Sequence, residues 1–177
     1  MRRFLDRLYL GSGYVGAIFI VAICIAMIGQ SVLRELGIRT GAVNDVVSWF
    51  CAAAAFFAMA HAFKHGDFVR VTLMLESASP AKRRFLELSA LLIGNVATGY
   101  LAWSACLFTY ESWEFQDIAQ GMLAMPLWIP QLSFAFGSVL LWIALIDELF
   151  LVLKGETPTY VRAVAERHAK GDFSSDI

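Results

Sequence analysis

Tyr9–Leu33 reads YLGSGYVGAIFIVAICIAMIGQSVL, and no Asp, Glu, Lys or Arg interrupts it. A hydrocarbon core about 30 Å thick is crossed by roughly 20 helical residues. The stretch is long enough to span it, and too long for the roughly 7–15-residue core of a secretory signal. Arg2, Arg3 and Arg7 form a basic leader, but no small-residue cleavage site follows. Arg2-Arg3-Phe4-Leu5 is only a compressed version of a twin-arginine signal. The stretch therefore reads as a retained first transmembrane helix.

Three further stretches repeat the pattern. Val46–Phe63 is short and rich in alanine. Phe85–Tyr110 holds Glu87 as its only charge, and Leu127–Leu153 holds Asp147 and Glu148 near its far end. Apolar residues make up 59% of the 177 and charged ones 16%, against about 25% charged in soluble domains. The expected fold is an all-α integral membrane protein with four transmembrane helices, at about 9–33, 46–63, 85–110 and 127–153. The membrane domain covers 1–155 and a cytoplasmic tail 156–177, with no stretch left for a separate soluble domain.

Positive charge in short loops orients such a chain, because Lys and Arg are retained on the cytoplasmic side. Arg2, Arg3 and Arg7 precede the first span. Arg34 and Arg39 follow it. Lys64, Arg70, Lys82, Arg83 and Arg84 lie between the second and third. The loop after the third span has no positive charge and carries Glu111, Glu114 and Asp117; the tail has Lys154, Arg162, Arg167 and Lys170. Both termini inside puts twelve of the fourteen positive charges in the cytoplasm. An even number of spans gives the same topology independently.

The connecting segments carry their own signals. Asn44-Asp45 is expected to cap the second helix. In Lys64–Pro80, Phe68, Val71, Met74, Leu75 and Ala78 fall near one helical face, predicting an amphipathic segment in the cytoplasmic interface. A strand there would leave its edge groups unpaired in lipid. Trp113, Phe115 and Trp128 suit an aromatic belt at the outer interface. Pro126 and Pro130 sit near the first turn of the last span, where a missing N–H costs least. Residues 158–170 predict a short surface helix. Gly13, Gly16 and Ala17 line one side of the first helix and alanines crowd the second, which favours close packing within the bundle over a dimer motif.

Few side chains are candidates for chemistry. Cys24, Cys51 and Cys106 lie inside spans with no CxxC spacing, and read as small packing residues. His61 and His65 share a helical face, but the adjacent glutamate of a zincin motif is missing, and no haem-like pair lies deeper on two helices. Asp147 and Glu148 are acidic residues inside a span, functional candidates by default. Their modest depth favours pairing with Arg83, Arg84 or an N-terminal arginine, and Glu87 has the same status. Asn95 is expected to hydrogen-bond to a neighbouring helix. The first three helices hold no charge at mid-depth, unlike a small proton-exchanging exporter. There is no phosphate loop, no nucleophile with its base, no cofactor motif and nothing that points to nucleic acid.

The chain resembles the small membrane subunit, DctQ-type, of tripartite ATP-independent periplasmic (TRAP) transporters. The likeness runs from about Leu5 to Gly155 and rests on four helices, a basic N-terminus and three local features. These are the polar turn Gly41–Asp45, the segment Gly66-Asp67-Phe68-Val69-Arg70-Val71, and Met125-Pro126-Leu127-Trp128 with Gly137 beyond. Family members often place a histidine where Phe68 stands and an acid where Thr72 stands; this chain departs at both. The resemblance implies a large multi-helix membrane subunit that carries the substrate and sodium sites, and a periplasmic substrate-binding protein that delivers an organic acid. The small subunit would be a scaffold in the bacterial inner membrane, surrounded by membrane lipids, with no catalytic role, cofactor or substrate ligand. Asp147, Glu148, Glu87, Arg70, Arg83, Arg84, Asn95 and Trp128 become candidates for structural or partner contacts. The competing readings are a membrane anchor subunit of a redox complex and a stand-alone small transporter.

Overall fold

The computed structural model describes residues 2–38, 40–67, 80–155 and 157–169. The expected interfacial segment, with Arg70, lies almost wholly outside them, as do the last residues of the tail. The described residues form five helices: α1 (Arg2–Glu35), α2 (Gly41–His65), α3 (Pro80–Glu114), α4 (Trp128–Leu153) and α5 (Thr159–Ala169). Four stretches are long and apolar enough to cross a membrane: Leu5–Glu35, Gly41–His65, Arg84–Glu114 and Trp128–Leu153.

α1, α2 and α3 each run several residues past the expected span. Apolarity marks only the part that must sit in hydrocarbon, whereas backbone hydrogen bonding continues into polar flanks that water or headgroups can solvate. The second helix differs in how it starts. It begins at Gly41, with Thr40 in the cap position and no side chain capping it. Asn44 and Asp45 are not its cap. Asn44 Oδ1 accepts a hydrogen bond from Gln30 Nε2 of α1 at 3.0 Å. Asp45 Oδ2 accepts from the backbone N–H of Met122 at 2.8 Å and of Leu123 at 3.3 Å. A short carboxylate spends its hydrogen bonds on a distant loop with exposed donors rather than on its own helix.

The packing order differs from the chain order. α1 packs on α2, α2 on α4, and α4 on α3, giving an open row α1–α2–α4–α3. α2 and α4 run parallel, so their C-terminal ends coincide. At the α1–α2 contact, a Cβ on Gly16 would lie 3.1 Å from the Ala54 carbonyl oxygen. At the α2–α4 contact the approach is tighter: a Cβ on Gly137 would lie 2.6 Å from the Phe56 backbone. The rings of Phe56 and Phe134 meet edge to face beside it, centroids 4.4 Å apart. Such close backbones gain dispersion contacts, the main attraction between helices in lipid. Leu91 of α3 joins Leu141, Leu145 and Val152 of α4 in the largest apolar cluster, flanked by Met59 and Phe63 of α2.

Two devices close the ends of the row. The loop between α3 and α4 folds on itself, with Ala119 N–H donating to Met125 O and Leu127 N–H to Asp117 O, both at 2.9 Å. Asp45 then ties this loop to the start of α2. At the other end, Gly66 adopts φ 77° and terminates α2. An L side chain there would be strained, and its Cβ would lie 2.9 Å from Tyr160 O of α5. The tail is thus not a free appendage: α5 docks on the end of α2.

Candidate functional site

The most polar buried site lies at the end where α2 and α4 finish and α1 begins. Lys64 is 6% exposed and Glu148 is fully buried. Lys64 Nζ donates to Glu148 Oε1 at 2.8 Å and also to Asp147 Oδ2. Its ammonium sits 5.2 Å from the centroid of the Tyr9 ring, a cation–π distance. The other oxygen of Glu148, Oε2, accepts the backbone N–H of Thr159 at 2.9 Å. That N–H opens α5, so the carboxylate also meets the positive end of a helix dipole. Both oxygens of Glu148 are therefore satisfied, as a buried charge requires.

Local structure explains how these residues converge. Helical side chains lean toward the N-terminus of their own helix. Lys64, one residue from the end of α2, therefore reaches back into the row instead of out to water. Gly155 at φ 80° turns the chain after α4, and α5 starts at Thr159 beneath Glu148. Arg167 of α5 completes the docking, donating to Asp67 Oδ1 at 2.8 Å and to His65 O at 2.6 Å. Phe63 and Tyr160 pack their rings 5.9 Å apart. A cleft of about 300 Å³ opens beside the cluster, lined by Asp6, Asp147, Leu151, Thr159, Arg162, Ala163 and Glu166.

The acids Asp147 and Glu148 thus find a basic partner, but not an expected one. Among the described residues that partner is Lys64; the side chains of Arg2 and Arg3, at the expected N-terminal end, lie outside them. Arg84 is exposed, and the side chains of Arg83 and Arg70 lie outside the described part. The signal for Lys64 was present: it follows the last apolar residue of a helix parallel to the one bearing the acids. Counting it as a loop charge hid it. Asn95 bonds within its own helix, Nδ2 donating to Leu91 O at 3.1 Å, and among the described residues not to a neighbouring helix. Glu87 and Trp128 are half-buried on α3 and at the start of α4, away from the cluster in sequence. The His61 and His65 rings lie 4.0 Å apart, but among the described residues no three His, Cys, Asp or Glu side chains converge as metal ligands.

Four apolar helices of spanning length, with charge gathered at their ends, define a multi-pass membrane protein. Residues 14–155 match the family model described as tripartite ATP-independent periplasmic transporters, DctQ component. The chain belongs to that family, and it is the small membrane subunit of a TRAP transporter, a transport component and not a member of an enzyme family. No curated protein matches it in sequence.

Proposed function

We propose that this subunit is the fixed scaffold of a sodium-coupled, binding-protein-dependent uptake system for organic acids in the bacterial inner membrane. Its partners are a large multi-helix membrane subunit, which holds the substrate and sodium sites, and a periplasmic substrate-binding protein. Both termini face the cytoplasm. One observation carries the division of labour. No charged residue lies between Arg7 and Arg34 of α1, Asp45 and Lys64 of α2, Glu87 and Glu111 of α3, or Trp128 and Asp147 of α4. Nor does any of these helices break at its centre. An anion crossing the bilayer needs compensating charge, a helix N-terminus or several donors at mid-depth, and this chain has no such site among its described residues. The Lys64–Asp147–Glu148 cluster fits a structural role, since its buried groups already satisfy one another.

Reconstitution tests the reading. Proteoliposomes hold the small chain, the large chain, or both, with the binding protein outside and a sodium gradient imposed. Uptake requires both membrane chains. Saturable sodium-driven uptake by the small chain alone overturns the scaffold role and makes it a transporter in its own right. Haem or quinone bound to the purified chain would favour the redox-anchor reading instead.

A further inference from the structure

On α3, Ile93, Val96, Tyr100, Trp103, Leu107 and Tyr110 follow one another at steps of three and four. All are exposed, on the side opposite the buried Leu91, Ala102, Ala105, Thr109 and Ser112. This is the spacing of a coiled-coil seam, the row of knobs that one helix presents to another. No described helix of the chain covers it.

Its polar content separates it from a lipid-facing surface. The span Arg84–Glu114 has its midpoint at Gly99. Tyr100 is one residue from that midpoint and 75% exposed; Trp103 is four residues away, about 6 Å along the axis, and 69% exposed. Neither side chain makes a hydrogen bond to any described residue. Tyr and Trp facing lipid belong at the headgroup level, where the O–H and N–H find water or phosphate. At mid-depth, lipid tails offer these donors nothing, so each would remain unsatisfied. The exposed mid-depth face of α1 is the contrast: Ile18, Val21 and Ile25 carry only hydrocarbon, which lipid suits.

We infer that the Ile93–Tyr110 seam of α3 is the docking face for a transmembrane helix of the large membrane subunit, one that presents hydrogen-bond acceptors to Tyr100 and Trp103. The inference rests on the scaffold reading above and adds the surface to it. A second copy of this chain fits less well. A parallel two-fold pair sets like residues face to face, and an indole N–H is a donor with no acceptor capacity. Trp103 against Trp103 sets donor against donor.

Photocrosslinking in membranes tests the face without removing the donors. A benzoylphenylalanine replaces Val96 or Leu107, and Ile18 or Ile25 as controls, in the tagged full-length chain coexpressed with the large subunit. Adducts with the large subunit form at 96 and 107 and not at 18 or 25. In a second arm, the Tyr100→Phe/Trp103→Phe double variant retains several-fold less large subunit through affinity purification. Its own yield and helicity, and the retention by an Ile18→Ala/Ile25→Ala variant, stay unchanged. Adducts at twice the small chain's mass, lipid adducts alone at 96 and 107, or unaltered retention by the Phe variant overturn the docking face. If the large subunit co-purifies in those cases, the scaffold reading survives; if it never co-purifies, that reading fails as well.

Discussion

Lys64 is the residue on which the polar core turns. Three groups converge on its ammonium: the carboxylates of Asp147 and Glu148 and the ring of Tyr9. Removing one member of a buried pair costs about 3–5 kcal/mol, because it strands a charge. Lys64→Met should therefore lower the melting temperature in detergent sharply. Asp147→Asn should cost less, since Asp147 is 23% exposed and Glu148 still engages the lysine. Adding Asp147→Asn and Glu148→Gln to Lys64→Met should recover most of the loss, because no buried charge is then left unpaired. A triple variant as unstable as Lys64→Met alone would show that packing, not charge, holds this corner. At this scale the sequence was partly legible. The acids stood out, since ionisable groups in a span are rare, but their partner depended on how a side chain leans, which residue counts do not record.

At the scale of elements, the helices were legible and their ends were not. Continuous apolar runs reveal a span directly, whereas Gly41–Asp45 extends α2 through residues that read as a polar turn. Asp45 looked like a cap because its local sequence suits one. The Met122 and Leu123 amides that claim it are remote in sequence. The contact between α2 and α4 makes a sharper statement. Gly137→Val places carbon within 2.6 Å of the Phe56 backbone, where nothing flexible can yield. The helices must part, at a cost of about 1–3 kcal/mol or more. Gly11→Val, on α1 with open space around it, is the matched control and should melt no lower than the unaltered chain. Equal melting of the two variants would mean that the α2–α4 contact gives way without penalty.

For the whole molecule, the number of spans and the family could be read, but the packing order could not. A lipid-facing surface and a helix-facing surface are both apolar, so hydropathy cannot say that α2 meets α4 rather than α3. The orientation is open to direct measurement. In a background without Cys24, Cys51 and Cys106, Glu114→Cys should react with an impermeant thiol reagent from the periplasm. Lys154→Cys should react only after the membrane is permeabilised. Both positions are exposed, at opposite ends of the row. Reversed labelling would invert the topology. The open row α1–α2–α4–α3 carries one more consequence. Among the described residues, four helices packed chiefly in file, with interaxial spacings of about 8–10 Å, make a palisade. Lipids on one side reach those on the other only by travelling around the edges at α1 or α3. Such a fence gives a neighbour on either side a wall of packed helices in place of fluid acyl chains.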